Sequence, residues 1–293
     1  MTTTGTVSAE DPSDATPPTG GDHSAELEVA VRLAHNAGEL IRDALGRARN
    51  IDRKSPVNLV TEVDREAETR IVGGLQSAFP EHRIVAEESS GDQPGGRPSS
   101  DGQPCWYVDP LDGTTNFVHG LPHCSVSIAM ENHGALVAAV VHDPFRGETF
   151  AAARDRGATL ETTESRRPLG VSATTRLDDS LLVTGFPYDR RDHIDFYMSY
   201  MAAFMARARD IRRFGSAALD LCYVAAGRFD GFWEWKLQPW GTAAGALIVT
   251  EAGGRVTDYE GNDYDPWGDR ILATNAAIHA ESVEVLASLP AAP

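Results

Sequence analysis

Lysine is almost absent from this chain of 293 residues, in which Lys54 and Lys236 are the only two. Arginine supplies nearly all of the positive charge, and acidic residues exceed basic ones so far that the formal net charge is −17 at pH 7. Because like charges repel, this balance argues against nucleic acid and anionic membrane surfaces as partners. We therefore expect neither nucleic acid nor a membrane as a partner.

Cysteine is also scarce, with Cys105, Cys124 and Cys222 at spacings that do not suit metal ligation. An odd number of such residues predicts reduced, buried thiols in a cytoplasmic protein. The sequence has no apolar run of the length that crosses a membrane, and no basic segment followed by an apolar one at its start. We therefore expect neither a membrane span nor a secretory signal. Residues 1–23 have almost no large apolar side chain, which predicts a disordered tail.

Residues 106–117 join a short apolar run to an acidic turn. Residues 106–108 predict a buried strand, and Pro110, which has no N–H to give to a sheet, should end it. Asp109 and Asp112 would then lie in the turn. Carboxylates are ligands of hard cations, and Mg²⁺ commonly takes one or two of them together with substrate phosphate. Taken alone, Asp-Pro and Asp-Gly also fit an ordinary turn.

The same segment continues with a glycine and two hydroxyl residues. Gly113 would let the backbone approach a ligand closely, and Thr114 and Thr115 could open a helix whose free N–H groups face outward. With the exposed carbonyl of Leu111, these features predict a site for Mg²⁺ and phosphate.

Two helices are predicted before this segment. Ser24 should cap the first. Thr61 followed by Asp64 is similar to a capping box at the start of the second, which should stop at Phe79 because Pro80 follows. From its spacing alone, Asp64 would complement the helix dipole.

Other candidate positions also stand at the ends of predicted strands. Residues 84–86 predict a strand that leads to Glu87, and a flexible loop at residues 90–104 follows. Further along, residues 211–214 predict a strand that leads into small residues at the start of a helix, which suits an approaching polar ligand. Residues 229–235 predict a strand that carries Glu234, and residues 242–251 predict a helix.

Four separated motifs resemble those of the inositol monophosphatase family of Mg²⁺-dependent phosphatases. Residues 106–117 are similar to the family's signature, and residues 59–64, 87–89 and 239–245 are similar to its other motifs, in the same order. The resemblance covers roughly residues 25–285. Haloacid-dehalogenase-type phosphatases instead carry two acids spaced two residues apart on one face of a strand. Here the acids are three apart with proline between them, which disfavours a nucleophilic first aspartate.

The resemblance implies a layered α/β fold (α+β layered, αβαβα) in which helix and sheet layers alternate and the site lies between two halves. Residues 24–155 would form an N-terminal α+β half with the metal motifs. Residues 156–293 would form a C-terminal α/β half with the substrate pocket, within one compact unit. A homodimer is also implied.

The resemblance implies a role for each candidate residue. Two or three Mg²⁺ ions would be held by Glu87, Asp109, the Leu111 carbonyl and Asp112. Glu87 and Thr114, the latter braced by Asp64, would hold the attacking water. The substrate would contact Asp112, Gly113, Thr114, Thr115, Gly215, Ser216, Ala217 and Glu234. Tyr188 would lie in a loop near this pocket.

The sequence departs from the family at Gly241. The family has Trp-Asp here, and that Asp is the third carboxylate of the metal pair, whereas this chain has Trp240 followed by Gly241. By position the residue would be a helix N-cap, where Gly is tolerated at a cost of a few tenths of a kcal/mol. Three explanations stay open: an engineered or erroneous residue, a weakened enzyme in which water fills the gap, and a non-catalytic relative. We favour a hydrolase ancestry with impaired or altered metal binding.

The sequence therefore predicts Mg²⁺-dependent hydrolysis of inositol monophosphate or a similar small phosphorylated polyol or sugar. Histidinol phosphate, fructose 1,6-bisphosphate and a nucleotide 3′-phosphate stay open as substrates, because the contacts that discriminate among them lie in variable loops. A non-catalytic phosphate-binding protein is the alternative from a different functional class.

Overall fold

The computed structural model describes residues 22–47, 51–54, 59–90, 97 and 102–289. Nearly all of the predicted tail at residues 1–23 and most of the predicted loop at residues 90–104 lie outside the described residues. The helices are α1 (Ser24–Ala44), α2 (Glu62–Ala78), α3 (Glu87–Ser90), α4 (Thr114–Val118), α5 (Ile194–Met205), α6 (Ala217–Ala225), α7 (Pro239–Glu251) and α8 (His279–Ala287). The strands are β1 (Ile51–Arg53), β2 (Leu59–Thr61), β3 (Arg83–Ala86), β4 (Cys105–Asp112), β5 (Ser125–Asn132), β6 (Ala135–Asp143), β7 (Glu148–Ala153), β8 (Ala158–Glu161), β9 (Arg166–Pro168), β10 (Leu181–Thr184), β11 (Asp210–Arg212), β12 (Gly231–Trp235), β13 (Arg255–Thr257) and β14 (Arg270–Thr274).

Most strands belong to two sheets. One has seven strands in the order β3-β4-β5-β6-β7-β8-β9, in which β3 and β4 are parallel and the later pairs are antiparallel. The other has five strands in the order β11-β10-β12-β14-β13. Within it β10 runs parallel to β11 and β12, while β14 is antiparallel to β12 and β13. β1 and β2 form a short antiparallel pair.

Three helix layers alternate with these two sheets. α1 and α2 cover one face of the seven-stranded sheet, where Ile41 and Trp106 are buried in one apolar cluster. α6 and α7 lie between the sheets, and Ile248 belongs to the core there. On the outer face of the five-stranded sheet, Phe204 of α5 packs on Trp233 with ring centroids 4.3 Å apart. The predicted αβαβα layering is therefore confirmed.

The division between halves at residue 155 stays a prediction. The seven-stranded sheet continues past that residue through β8 and β9. If each half contains one of the two large sheets, the boundary between the halves falls after β9, and we propose it there.

α2 begins with the predicted capping box. Thr61 Oγ1 accepts a hydrogen bond from the Val63 N–H at 3.1 Å, and Asp64 Oδ2 accepts one from the Thr61 N–H at 2.9 Å. Such a cap contributes roughly 1 kcal/mol, because it satisfies N–H groups that have no partner inside the helix. The helix ends at Ala78, with Phe79 as its C-cap before the proline.

Two predicted boundaries are wrong in the N-terminal part. β4 does not stop at Pro110, because its pairing with β5 only shifts register between Asp109 and Asp112 and then resumes. The proline falls in this irregularity, where no ladder N–H is required. Ser24 is not the cap of α1: His23 occupies the N-cap position and makes no side-chain capping bond.

α7 begins three residues earlier than predicted. Gln238 is the N-cap and Pro239 is the first helical residue, a position where the fixed φ of proline suits a helix and its missing N–H costs nothing. Gly241 is therefore the third residue of α7, and our prediction of an N-cap at that position is wrong.

The three cysteines are free and buried, as predicted. Burial raises the pKa of the Cys105 thiol to about 12, so that it stays protonated and unreactive at neutral pH. Among the described helices, none is both long enough and apolar enough to cross a membrane.

Candidate active site

A cavity of about 500 Å³ opens beside the end of β4 and the first turns of α4, α6 and α7. All of the predicted metal and substrate residues line it: Glu87, Asp109, Leu111, Asp112, Gly113, Thr114, Thr115, Gly215, Ser216, Ala217 and Glu234. Tyr188 lines it as well. Helix N-termini present N–H groups and partial positive charge, so this setting suits an anion such as phosphate.

Asp64 lies behind the cavity wall and contacts it through Thr114. Thr114 Oγ1 lies 2.9 Å from Asp64 Oδ1 and 3.1 Å from the Leu111 carbonyl, and it donates its single hydrogen to these acceptors. The other carboxylate oxygen of Asp64 accepts a bond from Thr61 Oγ1 at 2.5 Å. Burial raises the pKa of Asp64, while the bonds from Thr61 oppose that shift.

Two acids from different elements, Glu87 of α3 and Asp109 of β4, meet at one end of the cavity. The carboxyl groups of Glu87 and Asp109 lie within hydrogen-bonding distance of each other. Burial, reinforced by the charge of Glu87, raises the pKa of Asp109 well above its usual range. Lys54 Nζ contacts Glu87 at 3.1 Å and Glu88 at 2.7 Å, which partly offsets the acidic charge.

Asp112 connects β4 to the start of α6. Its Oδ2 accepts hydrogen bonds from Ser216 Oγ at 2.5 Å and from the Ala218 N–H at 2.9 Å. Burial raises the pKa of Asp112 to about 6, although the Ser216 hydroxyl lowers it. Two motifs that are 104 residues apart in the chain are thereby joined at the cavity.

Both the backbone conformation and the close neighbouring atoms at position 113 require glycine. It has φ of 97°, in the left-handed region, and it precedes the first residue of α4. An added Cβ would lie 3.0 Å from the His123 carbonyl oxygen and 3.3 Å from that of Gly215. A larger residue would therefore be strained at this position.

The acids fit a divalent cation, although their present arrangement does not enclose one. Across the described residues, no three His, Cys, Asp and Glu side chains are arranged to hold a metal ion as they stand. Lys54 contacts Glu87, and one oxygen of Asp112 is bonded to α6. The contact between Glu87 and Asp109 still brings together a half-buried and a buried carboxylate, and a cation would relieve their repulsion. With Asp112 and the Leu111 carbonyl, they supply the oxygen donors that Mg²⁺ prefers.

Glu234 lies in another part of the lining, on β12. Burial raises its pKa to about 8, and Arg213 opposes this shift. A Cβ added at Gly185 would come within 2.4 Å of the Glu234 carboxyl carbon, so the backbone of that loop packs directly on the carboxyl group.

Five charged residues of the lining were missed by the sequence reasoning: Lys54, Arg190, Arg213, Asp220 and Lys236. The two lysines had a usable signal, because both lysines of this lysine-poor chain line one cavity. Lys236 also has φ of 55° and forms an ion pair with Asp189 at 2.5 Å. A non-glycine residue in this backbone region often marks a functional site.

Gly241 also lines the cavity. A Cβ added to it would meet no heavy atom of the described residues within 4 Å. The first turn of α7 therefore has room for a side chain at this position.

Comparison with known proteins gives a consistent result. Residues 22–290 match the model of the inositol monophosphatase family. A Pseudomonas aeruginosa protein named Nus factor SuhB is 46% identical over 243 residues, which cover 80% of this chain and 86% of that protein. An inositol-1-monophosphatase of Synechocystis is 44% identical over 265 residues, covering 90% of this chain and 89% of the relative.

Solved structures agree with the sequence relatives. The extragenic suppressor protein suhB of Bartonella henselae superposes with a TM-score of 0.81 at 42% identity, over 90% of this chain and 98% of that one. The inositol monophosphatase of Anabaena gives a TM-score of 0.80 at 37% identity, over 92% of this chain and 98% of the other.

Proposed function

This chain belongs to the inositol monophosphatase family, and from that premise we propose that it hydrolyses the phosphate monoester of a small polyol or sugar, represented by inositol monophosphate. The observation that carries this proposal is the Thr114–Asp64 hydrogen bond at the cavity wall, beside the contact between Glu87 and Asp109. Together they provide an acceptor for an attacking water and an acidic site for the cation that the family typically requires.

Thr114 would orient the water. Its hydrogen is used by Asp64 and the Leu111 carbonyl, so its oxygen is left as an acceptor. A water that donates one hydrogen to Thr114 and the other to Glu87 would direct a lone pair at the phosphorus. Asp64 acts through Thr114 and is a positioning residue.

The phosphate would bind at the start of α4. Gly113 and Thr115 line the cavity at the N-terminus of α4, and their N–H groups would bind phosphate oxygens there. Glu87, Asp109, Asp112 and the Leu111 carbonyl would hold Mg²⁺. When bound there, Mg²⁺ would neutralise phosphate charge and stabilise the attacking and leaving oxygens. We propose two or three ions per site.

We propose that Gly241 weakens the binding of one of these ions. The acids at Glu87, Asp109 and Asp112 would keep one strong site, while a second ion would lack the charged oxygen that the family places at this position. Such a chain should need more Mg²⁺ and turn over more slowly than a relative with Asp there. If the loss of metal binding is complete, the chain would bind phosphate esters without hydrolysing them.

The test is phosphate release from a panel of monoesters with Mg²⁺ titrated into the tens of millimolar range. The panel should contain inositol 1-phosphate, histidinol phosphate, fructose 1,6-bisphosphate and a nucleotide 3′-phosphate. We expect the highest kcat/KM for the inositol ester, with no release in EDTA. No release from any ester at any Mg²⁺ concentration would favour the non-catalytic alternative.

A second candidate function comes from the relatives named Nus factor. If this chain shares that role, the net charge of −17 favours contact with a protein partner over direct contact with nucleic acid. A pull-down with the variant Asp109→Asn would separate the roles, because a binding role should survive the loss of catalysis. The homodimer also stays a prediction, which sedimentation would test.

A further inference from the structure

Asp220 is a buried carboxylate whose role neither the motifs nor the proposed chemistry explains. It lies in the first turn of α6, is 1% exposed and lines the cavity. Among the described residues, seven buried side-chain N or O atoms have no hydrogen-bond partner. Asp220 Oδ1 is the one of these seven that belongs to a residue lining the cavity.

An unpartnered buried carboxylate oxygen destabilises a fold, because it has lost water and gained nothing in return. Buried polar groups are therefore nearly always paired, and an exception calls for an explanation. Since Asp220 lines a cavity, the missing partner can come from a ligand. A structural carboxylate of this chain, Asp230, shows the contrast: it accepts bonds from Ser172 Oγ at 2.5 Å and from the Leu181 N–H at 2.7 Å.

The surroundings of Asp220 indicate which ligand group it would meet. The charges that act most strongly on it belong to Glu234, Asp112 and Arg213. Glu87 and Asp109, in contrast, act on each other. Asp220 therefore lies under the influence of Glu234 first and of Asp112 second, and it lines the same cavity as both.

Glu234 and Asp220 differ in how they are held. The backbone at Gly185 lies directly against the Glu234 carboxyl group. Asp220 is placed by its helix, whose first residues hold Asp112 through Ser216 and the Ala218 N–H. The same short helix thus connects the proposed phosphate end of the cavity to Asp220.

We infer that Asp220 is a specificity-determining residue, which accepts a hydrogen bond from a hydroxyl group of the substrate's polyol beside Glu234. This inference rests on the proposed function. Two neighbouring carboxylates suit a ring that carries adjacent hydroxyl groups, each a donor. A site built to bond a hydroxyl discriminates strongly against an analogue that lacks it, because the buried acceptor is then left unpaired.

The experiment compares two ligands that cannot be hydrolysed, by isothermal titration calorimetry at saturating Mg²⁺. One is an inositol phosphonate, in which carbon replaces the ester oxygen, and the other is methylphosphonate, which has no hydroxyl on carbon. The variants are Asp220→Asn and Asp220→Leu, which keep the approximate volume, and Asp230→Asn is the matched control outside the cavity. Thermal denaturation of each protein is measured in parallel.

We expect the parent to bind the inositol phosphonate more tightly than methylphosphonate. Both Asp220 variants should reduce that preference about tenfold or more, while the Kd for methylphosphonate stays within about twofold. Their Tm should equal or exceed that of the parent, because an unpaired buried carboxylate has been removed. Asp230→Asn should lower the Tm and leave the preference unchanged.

Three results would overturn the inference. The first is a parent that binds the two phosphonates equally or not at all. The second is an unchanged preference in both Asp220 variants. The third is an equal loss of affinity for both phosphonates. If the preference behaves as expected but no monoester releases phosphate, the proposed hydrolysis fails and the role of Asp220 in binding stands.

Discussion

Thr114 Oγ1 donates a hydrogen bond to Asp64 Oδ1 at 2.9 Å, although the two residues are 50 positions apart. Asp64 is held in turn by the capping box of α2, through the Thr61 hydroxyl and N–H. The start of one helix thereby fixes a hydroxyl at the start of another, so a capping residue also serves the cavity.

Thr114→Ala should lower kcat about 10²-fold or more and raise KM little, because the hydroxyl is assigned to the water and acts mainly in the transition state. Steady-state kinetics with inositol 1-phosphate measures both constants. Thr115→Ala is the matched control, because only the N–H of Thr115 is assigned to phosphate. Its kcat and KM should stay near those of the parent. A rise in KM alone for Thr114→Ala would make this residue a substrate ligand.

Asp64→Asn should also lower kcat, and its effect should largely vanish in the Thr114→Ala background. Residues that act as one unit give non-additive effects, and Asp64 is proposed to act through Thr114. A double-mutant cycle in kcat measures this coupling. Fully additive losses would show that Asp64 acts on the reaction by another route.

Asp109→Asn should abolish phosphate release and raise the Tm in EDTA. Burial and the charge of Glu87 raise the pKa of Asp109, so ionisation of this carboxyl group costs more free energy in the folded protein than in the unfolded chain. Removing that charge should stabilise the protein without metal and reduce the increase in Tm that Mg²⁺ produces. Differential scanning fluorimetry with and without Mg²⁺ tests this. Hydrolysis at the parent rate would contradict the assignment of the site.

Gly241→Asp should lower the half-saturating Mg²⁺ concentration and raise turnover. Position 241 has room for a side chain and lies in the first turn of α7, where a carboxylate is also favoured by the helix dipole, by roughly 0.3–1 kcal/mol. Gly241→Asn is the matched control, because it fills the same space without charge. Equal Mg²⁺ curves for Gly241→Asp and the parent would show that position 241 does not face the second ion.

Acid should destabilise the protein partly through His279. Its ring nitrogens lie 2.9 Å from Thr257 Oγ1 and 2.9 Å from Thr274 Oγ1, and burial lowers its pKa to about 4. The unfolded chain, with a histidine pKa near 6.5, binds this proton first, so stability should fall as the pH drops from about 7 to about 4. Urea titrations in EDTA measure the free energy of unfolding at each pH. Between pH 7 and pH 4 this free energy should fall less for His279→Gln than for the exposed control His119→Gln. Equal slopes would contradict this account.

Local sequence features predicted several helix ends around the cavity correctly. The capping box at Thr61 and Asp64, the short helix after Gly113 and the end of α2 before Pro80 each depend on a few adjacent residues. Their hydrogen bonds close within one turn, so the sequence pattern contains the information needed. The boundaries predicted at Pro110 and Gly241 were wrong because proline does not always end an element. Pro110 lies in a strand irregularity, and Pro239 is the first residue of α7. Both positions tolerate proline, and the sequence pattern does not show which of them applies.

The sequence by itself indicated the family and the order of the layers, and it supplied the residues that we propose for phosphate chemistry. Only the tertiary structure brought Asp112 to Ser216 across 104 positions, placed both lysines in one cavity and left Asp220 Oδ1 without a partner. Such contacts depend on strand order and on how α6 and α7 pack between the sheets. Burial, moreover, is a property of all the neighbours of a side chain, so the raised pKa values of these acids arise only when the layers close around them.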